Sequence, residues 1–177
     1  MISRISIKYF LMILAFTAMF SGCGGTGKDD TEFPWSINVP ELSVRLIVRV
    51  KGIELGQYPV CVMEVMNNSN QTILLRKDFA LNGPAVYDKE GNAMSQRRAL
   101  EVKTGEIEYY RIEPGQKVSV KAAPNYTIDK PGEYVLKFAL HVSWWGFEET
   151  HNPGKMMPKD TGTTAISNEV KIFVHNP

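Results

Sequence analysis

Apolar and polar residues alternate along most of the chain after residue 41, a pattern typical of β-strands rather than helices. The clearest run covers residues 134–145, where six large apolar or aromatic residues occupy every second position from Tyr134 to Trp144. Such a face predicts a buried, central strand. Shorter runs predict further strands at residues 43–51, 58–66, 72–76, 85–88, 106–112, 117–122 and 169–175.

Turn-forming residues separate these runs. Pro-Gly pairs at 114–115 and 131–132 have the residues that a type II turn needs, and an Asn- and Ser-rich cluster occupies residues 67–70. No stretch after the first twenty-five residues sustains helical periodicity. Short strands with turns between them are typical of an all-β domain, and they favour a β-sandwich.

Residues 129–134 resemble the tyrosine corner of immunoglobulin-like sandwiches, in which a Tyr near the start of a strand bonds the preceding loop. Asp129, Gly132 and Tyr134 carry the resemblance, with one extra residue between Asp129 and Gly132. Leu136 stands where antibody domains have the second Cys of the inter-sheet disulfide. The resemblance implies an immunoglobulin-like β-sandwich of about seven to nine antiparallel strands over residues 41–177.

A second resemblance covers residues 58–142 and consists mostly of turn motifs. Segments 67–69, 86–91, 112–116 and 131–134 occur in an order similar to that of the bacterial intracellular proteinase inhibitor family. The resemblance supports the same sandwich, and it implies proteinase inhibition as an alternative function.

The start of the chain resembles a bacterial lipoprotein signal. Arg4 and Lys8 precede an apolar run at 9–20, and the small residues Ser21 and Gly22 precede Cys23. The resemblance implies a signal peptide at residues 1–22, cleavage before Cys23, and acylation of Cys23. Residues 23–40 are then predicted to be the lipidated Cys and a flexible tether.

Acyl chains on Cys23 would anchor the protein to a membrane, since each buried CH₂ contributes ~0.8 kcal/mol. By resemblance to lipoprotein sorting, Gly24 after the Cys favours the outer membrane, and the charged segment 28–30 favours the cell surface. The alternatives are an ordinary secretory signal, in which Cys23 is incidental, and a transmembrane anchor. The apolar run is shorter than the roughly 20 residues that an anchor needs.

Charge and cysteine content exclude several classes of protein. Without residues 1–22 the chain has 18 Lys and Arg against 19 Asp and Glu, a formal charge of −1. It has no basic stripe of the kind that binds nucleic acid, so no nucleic-acid partner is predicted. Once Cys23 is lipidated, Cys61 is the only remaining Cys with a free thiol, and its apolar neighbours predict a buried thiol that acts as a small hydrophobe.

Residues for catalysis are not evident. The sequence contains no HExxH, CxxC, phosphate-binding glycine loop or Gly-x-Ser-x-Gly motif, so no catalytic residue, metal or cofactor is predicted. His151, Met156 and Met157 form a minor copper alternative, because imidazole and thioether groups suit that metal. They lie in residues 146–163, which contain several Pro and Gly residues and are predicted to form one long loop.

Aromatic and basic residues suggest a binding surface instead. Lys137, His141 and Trp145 share the second face of the long predicted strand, and the last strand would add Phe173 to it. Phe147 follows in the long loop, at an end of the sandwich where antibody-like domains bind. The candidate ligand-binding residues are therefore His141, Trp145, Phe147 and Phe173, with scattered outward residues as the alternative interpretation.

Together these observations predict a lipid-anchored outer-membrane protein and favour its exposure at the cell surface. Its sandwich would be a non-catalytic binding or assembly module for an envelope protein or polysaccharide. Proteinase inhibition is the alternative, and copper binding is a more distant one.

Overall fold

A computed structural model of the chain describes residues 32–81, 83–96, 107–158 and 164–177. The predicted signal peptide, the lipidation site Cys23 and residues 24–31 of the predicted tether lie outside these ranges, as does Glu106 of a predicted strand. The described residues form fourteen strands and two 3₁₀ turns, at Lys77–Ala80 and Val142–Trp144. The strands are β1 (Ser36–Val39), β2 (Leu42–Ile47), β3 (Gly52–Glu54), β4 (Cys61–Asn67), β5 (Ile73–Arg76), β6 (Ala85–Asp88), β7 (Tyr109–Ile112), β8 (Lys117–Ala122), β9 (Gly132–Lys137), β10 (Ala139–Leu140), β11 (Trp145–Glu149), β12 (Asn152–Pro158), β13 (Ala165–Ile166) and β14 (Val170–His175).

The first sheet, sheet I, has the strand order β1-β2-β4-β8, and its pairings are antiparallel. In its register Leu46 lies opposite Met63, and Val65 lies opposite Val118. These residues alternate with the outward-facing ones, so the sheet has one apolar inner face. Strand β4 covers most of the predicted strand at residues 58–66 and is an inner strand of this sheet.

The second sheet, sheet II, has the order β3-β14-β9-β6. Strand β14 is antiparallel to β9 but parallel to β3. On the inner face of the sheet Leu136 lies opposite Val86 on one side and Val170 on the other, and all three are buried. The alternation predicted for β14 is therefore confirmed, with Val170, Ile172 and Val174 facing inward.

A third sheet, sheet III, has the order β12-β11-β5-β7, and β10 pairs with β13 in a short ladder of its own. The buried apolar residues of sheets I, II and III form one continuous core that includes Phe138 and Trp145. Antiparallel sheets packed over a single apolar core make this an all-β sandwich with immunoglobulin-like architecture, as predicted.

The tyrosine corner is present. Tyr134 is buried near the start of β9, and its hydroxyl donates a hydrogen bond of 2.8 Å to the carbonyl oxygen of Lys130. Burial raises the pKa of the phenol, and the charges of Asp129 and Asp88 raise it further. The phenol therefore stays protonated and keeps its role as donor. The extra residue in this segment does not prevent the contact.

The long strand predicted at residues 134–145 is interrupted. It divides into β9, β10 and the start of β11, with the 3₁₀ turn Val142–Trp144 between the last two. At the first break the backbone N–H of Phe138 donates to the hydroxyl of Ser167 instead of to a neighbouring strand (2.9 Å). The inward pattern holds through Leu140, and the turn then shifts it, so that Trp145 is buried and Trp144 only half-buried.

The prediction of one long loop at residues 146–163 is wrong for most of that range, because β11 and β12 form an antiparallel hairpin there. Pro153 and Pro158 are compatible with β12 because it is the outer strand of sheet III. Proline cannot donate to a ladder, and an edge strand has one side on which no donor is needed.

The folded domain also begins earlier than predicted. Strand β1 pairs with β2, and Phe33 and Val39 are buried in the core. These residues lie within the range 23–40 that the sequence assigns to a tether. A domain start at residue 41 is therefore too late, by at least the segment from Phe33 onward.

Candidate functional site

The four predicted ligand-binding residues do not lie on one surface. Trp145 opens β11 in sheet III and is 1% exposed, so its predicted exposure is wrong. Its partner across the ladder is the fully buried Leu75 of β5. The preceding 3₁₀ turn reverses the inside and outside positions at this point. Trp145 is consequently a core residue.

Phe147 extends the same inward-facing row of β11. It is half-buried, and its ring meets that of Trp145 edge-on with 6.3 Å between centroids. An edge-to-face pair of this kind stabilises the packing by roughly 0.5–1.5 kcal/mol beyond the buried area. Phe147 therefore covers one end of the core, and only part of its ring is open to a ligand.

His141 is exposed just after β10. The backbone N–H of Ser143 donates to its Nδ1 at 3.2 Å, and the Ser143 hydroxyl lies 2.9 Å from the same atom. A nitrogen that accepts from a backbone N–H carries no proton, so the neutral ring has its proton on Nε2. The side chain closes the turn that leads to Trp144 and leaves Nε2 available.

Phe173 is the candidate that the structure presents most openly. It is 54% exposed on β14, an inner strand of sheet II, and its register partner on β9 is Glu133. The outward residues of β9 and β6 continue this surface. The β14 face, as it is called below, consists of Tyr87, Glu133, Val135, Lys137, Glu169, Lys171 and Phe173.

Within the β14 face, Tyr87, Val135 and Lys171 form a row across three adjacent strands. A groove of about 350 Å³ lies at the β6 side of this row and is lined by Tyr87, Val135 and Lys137, among others. It continues to Ala139 and to the exposed Ile166 at the end of the sheet. Its volume is at the lower end of the range for small-ligand sites.

Charges on the β14 face are paired with each other. Lys171 Nζ lies 2.7 Å from a Glu133 carboxylate oxygen, and Lys137 Nζ lies 2.7 Å from one of Glu169. The pair with Glu133 raises the pKa of Lys171, first through the hydrogen bond and then through the charge. Lys137 also lies 5.3 Å from the ring centre of Tyr87. The surface thus presents many donors and acceptors with no net charge.

A second polar cluster lies on the outer face of sheet I, and the sequence did not predict it. Arg45 on β2 and Glu64 on β4 face each other in the register and form a buried ion pair of 2.6 Å. Lys117 and the hydroxyl of Ser119, both on β8, approach the other carboxylate oxygen of Glu64 at 3.0 and 2.6 Å. The ring of Trp35 covers the cluster, with its centre 4.3 Å from the Arg45 guanidinium carbon.

Burial alone would raise the pKa of Glu64, but hydrogen bonds from Ser119, Lys117 and Arg45 outweigh it and lower the pKa below its ordinary value. The carboxylate is therefore ionised at neutral pH. With both oxygens occupied, Glu64 is suited to holding β2, β4 and β8 in register rather than to accepting a proton in catalysis.

Candidates for metal and thiol chemistry lie apart from these surfaces. Cys61 is buried, and burial raises the pKa of its thiol to about 12. His151 is exposed at the tip of the β11–β12 hairpin, and Met156 is half-buried on β12. Across the described ranges no group of three or more His, Cys, Asp or Glu residues is arranged to hold a metal ion.

The sequence gives partial indications for two residues of these surfaces, Tyr87 and Glu64. Tyr87 stands at an alternating position of a predicted strand, but nothing local indicates which face it takes. Glu64 is the only charged residue in the apolar segment 58–66, and Arg45 occupies the polar face of the preceding strand. A lone carboxylate in a central strand suggests a buried partner, because an unpaired buried charge is costly.

No protein-family model matches the chain, and no curated protein matches it. Among solved structures, the CARDB domain of the PF1109 protein from Pyrococcus furiosus, crystallised with di-metal ions, is similar over 77% of this chain and 94% of that one, at 11% identity and a TM-score of 0.36. A β-glucosidase from Listeria innocua in complex with glucose is similar over 76% of this chain, at 11% identity and a TM-score of 0.36. A mutant of that enzyme in complex with laminaribiose is similar over 77% of this chain, at 10% identity and a TM-score of 0.39. The matched region spans 16% of the glucosidase chains. At these identities the similarities assign neither a ligand nor an activity to this chain.

Proposed function

We propose that this chain is a lipid-anchored envelope protein whose sandwich is a non-catalytic binding module, and that the β14 face binds a neutral envelope polysaccharide. The exposed ring of Phe173 on an inner strand is the observation that carries the proposal. An aromatic ring fixed on a sheet loses little conformational freedom when a flat ligand stacks on it.

The polar part of the β14 face supports a sugar ligand. The carboxylates of Glu133 and Glu169 can accept hydrogen bonds from hydroxyl groups, and the ammonium groups of Lys137 and Lys171 can donate them. Because these charges already neutralise each other, the face does not attract a ligand of either charge over long distances. A neutral, hydroxyl-rich chain fits such a surface.

A protein partner is less well matched to the same face. Protein interfaces commonly have a cluster of aromatic or aliphatic anchors that become fully buried. Of the large hydrophobic side chains exposed in the described parts of the chain, only Phe173 belongs to the β14 face, and Ile166 on β13 lines the groove beside it. One ring and one aliphatic side chain suffice to stack on a sugar but provide a small core for an interface.

The experiment is a binding measurement with the fragment of residues 31–177, which contains every described residue. It is immobilised and exposed to a panel of neutral polysaccharides and, separately, to solubilised envelope proteins. Phe173→Ala should weaken polysaccharide binding at least tenfold, about 1.4 kcal/mol, because stacking is lost. The separate variant Phe173→Trp should bind the polysaccharide like the unchanged fragment, since an indole ring stacks equally well.

Leu81→Ala is the matched control, because Leu81 is also exposed but follows the first 3₁₀ turn and belongs neither to the β14 face nor to the lining of its groove. It should bind like the unchanged fragment. Unaltered binding by Phe173→Ala would remove the site from the β14 face. Specific capture of a protein, lost in Phe173→Ala while no polysaccharide binds, would replace the sugar ligand with a protein partner.

The lipid anchor has its own test. In the full chain expressed in a Gram-negative host, labelled palmitate should be incorporated and the protein should remain with the outer membrane. Cys23→Ser should abolish both results, because the acceptor thiol is lost. Label that persists in the Cys23→Ser variant, or no label in the unchanged chain, would contradict lipidation at this position.

A further inference from the structure

A glycine occupies the position beside the exposed ring of Phe173 on the neighbouring strand. Strands β14 and β3 are parallel, and Gly52 is the register partner of Phe173. Paired residues of adjacent strands share a face of the sheet, so a side chain at residue 52 would stand on the outer face next to the ring. On the opposite side of the ring, toward β9, that position is filled by Glu133. The flank of Phe173 toward β3 therefore has no side chain.

Neither the backbone nor the packing requires a glycine at residue 52. Gly52 is not among the described glycines with a positive φ angle. A Cβ atom at this position would meet no described atom within 4 Å beyond its chain neighbours. Glycine weakens a strand relative to alanine, and in a strand it often marks a place where a ligand or another backbone comes close. The open space beside Phe173 is consequently available to a ligand.

The backbone of Gly52 adds a hydrogen-bond donor and an acceptor to this space. In the parallel ladder the N–H of Phe173 donates to the carbonyl oxygen of Lys51 at 2.7 Å. With this bonding pattern, the N–H and the C=O of Gly52 point away from β14. Strand β3 is the outermost strand of sheet II in the described part of the chain, so both groups of Gly52 face the open side of the sheet.

We propose that Phe173 and Gly52 form a subsite for one sugar ring, called the Phe173/Gly52 subsite. The sugar would lie above Gly52 with one face against the aromatic ring. Two neighbouring hydroxyl groups would bond to Gly52, one accepting from its N–H and the other donating to its C=O. The proposal rests on the proposed function and specifies what the site selects, a neutral polysaccharide whose bound unit has two adjacent free hydroxyl groups.

Hydroxyl chemistry explains the selectivity of this subsite. A hydroxyl group can both donate and accept, so two neighbouring hydroxyls satisfy a backbone N–H and a backbone C=O together. An O-substituted sugar loses a donor, and its substituent would occupy the space above Gly52. A site that bonds hydroxyl groups rejects ligands without them, because its polar groups lose water and gain no partner.

Strand addition by an extended peptide is the other use of an open sheet edge. A peptide would pair with every residue of β3 whose backbone points outward, which in this register means Gly52 and Glu54. Strand β3 has only three residues, so it offers a peptide few ladder bonds. One sugar ring needs only the groups of Gly52 and the adjacent aromatic ring, which is the smaller and better matched occupant.

The binding test uses the fragment of residues 31–177 with dextran, a mannan and a β-glucan, each in its native and its O-methylated form. Gly52→Val fills the space beside the ring and should weaken binding of the native polysaccharide roughly tenfold, as expected for the loss of one or two hydrogen bonds. Gly52→Ala should have an intermediate effect. The O-methylated forms should bind the unchanged fragment as weakly as the native forms bind Gly52→Val.

Stability and a matched variant show whether the loss is local. Gly52→Val and Gly52→Ala should leave the urea midpoint unchanged or higher, because the added side chains meet no described atom and replace a glycine in a strand. Glu54→Val is the matched control, since it places the same side chain on the same face of β3, opposite His175 instead of Phe173. It should bind the polysaccharides like the unchanged fragment.

Amide hydrogen exchange reports on the backbone groups directly. In the free fragment the amide of Gly52, which faces the open side, should exchange faster than that of Ile53, which faces β14. Bound polysaccharide should slow the exchange of Gly52 several-fold and leave that of Glu54 unchanged. A peptide added as a strand would instead slow both Gly52 and Glu54.

Binding that is weakened by Phe173→Ala but not by Gly52→Val would overturn the subsite and leave the proposed function in place. Equal affinity for native and O-methylated polysaccharides would also overturn it. Binding unaffected by Phe173→Ala would remove the aromatic platform, and both proposals would fail. Protection of Gly52 together with Glu54 by an envelope protein, with no polysaccharide bound, would make β3 an edge for strand addition instead.

Discussion

Trp145 illustrates how one aromatic residue can be misassigned as a ligand contact. It is fully enclosed, with Phe147 against its ring and Leu75 opposite in the ladder. We expect Trp145→Ala to destabilise the fold by about 3–5 kcal/mol, the usual cost of truncating a buried aromatic residue. Urea unfolding of the fragment of residues 31–177 measures the change.

Phe173→Ala provides the comparison for Trp145→Ala. Its side chain is exposed on the β14 face, so its removal should change the free energy of unfolding by no more than about 0.5 kcal/mol. If Trp145→Ala changed the free energy of unfolding as little as Phe173→Ala, the indole ring would not be enclosed in the core. The two variants thus separate a residue that holds the core from one that is available to a ligand.

Glu64 links the stability of sheet I to pH. Its pKa is lowered in the folded protein, so its contribution is fully present above the ordinary value of 4.5 and is lost as pH falls through the lowered pKa. Glu64→Gln leaves Arg45 buried beside a neutral group. At neutral pH this change should cost about 3–5 kcal/mol, as when one partner of a buried pair is removed.

The readout for Glu64→Gln is urea unfolding at a series of pH values from neutral to strongly acidic. The gap between the unchanged and variant fragments should narrow below pH 4.5, because a protonated Glu64 and a Gln are both neutral. A gap independent of pH would show that the ionised carboxylate is not what stabilises the sheet. Glu90→Gln, which changes an exposed carboxylate in the turn after β6, should give almost no gap.

At the residue level, the sequence predicted chemistry better than position. The burial of Cys61 and the hydroxyl contact of Tyr134 followed from local patterns and are confirmed. The partners of Glu64 come from two other strands, β2 and β8, and the most distant of them is 55 residues away in the sequence. No local pattern specifies which distant residue lies opposite, so the cluster emerges only when the strand register is known.

Asn67 connects strands at the level of elements. It is fully buried at the end of β4, and its amide group donates to the carbonyl oxygens of Gln71 and Ile112, at 2.8 Å each. Its side-chain oxygen accepts from the backbone N–H and the hydroxyl of Ser69. One side chain thus joins the turn after β4 to the end of β7, and so joins sheet I to sheet III.

We expect Asn67→Ala to lower the free energy of unfolding by at least about 2 kcal/mol, because several buried polar groups lose their partners at once. Urea unfolding measures the loss. Asn70→Ala is the matched control in the same turn, since Asn70 is exposed, and its effect should be within about 0.5 kcal/mol. Equal effects of the two substitutions would mean that the turn, and not its buried amide, determines the stability.

Elements were predictable where alternation was uninterrupted and less so where the chain changes direction. Strands β4, β5, β6, β8 and β14 lie within or close to their predicted ranges. The β11–β12 hairpin was missed because Pro153 and Gly154 were interpreted as breakers, whereas an edge strand tolerates proline. The 3₁₀ turn before Trp145 shifts the alternation by one position, which apolar residues on both sides of the turn conceal.

For the whole molecule, these elements place two polar surfaces with different properties on one apolar core. The β14 face on sheet II exposes the ring of Phe173 among paired charges. On the outer face of sheet I the buried pair of Arg45 and Glu64 lies beneath the ring of Trp35. The first surface is open to a ligand, whereas the second stabilises the sheet.

The N-terminal segment decides where this molecule begins as a folded unit. Residues 41–177 are the domain that the sequence predicts, but this range omits Phe33, Trp35 and β1. Compared with residues 31–177, the shorter fragment should lose at least about 3 kcal/mol of unfolding free energy. Burial of Phe33 and of Val39 accounts for that amount, at about 1.5–3 kcal/mol each.

Loss of the segment should also uncover the Glu64 cluster, because the ring of Trp35 lies over Arg45. Urea unfolding of both fragments measures the total, and Trp35→Ala in the longer one isolates the ring, for which about 0.5–2 kcal/mol is expected. If residues 41–177 were as stable as residues 31–177, the segment would be a tether lying on the surface. A large difference would instead make the segment from Phe33 onward part of the sandwich.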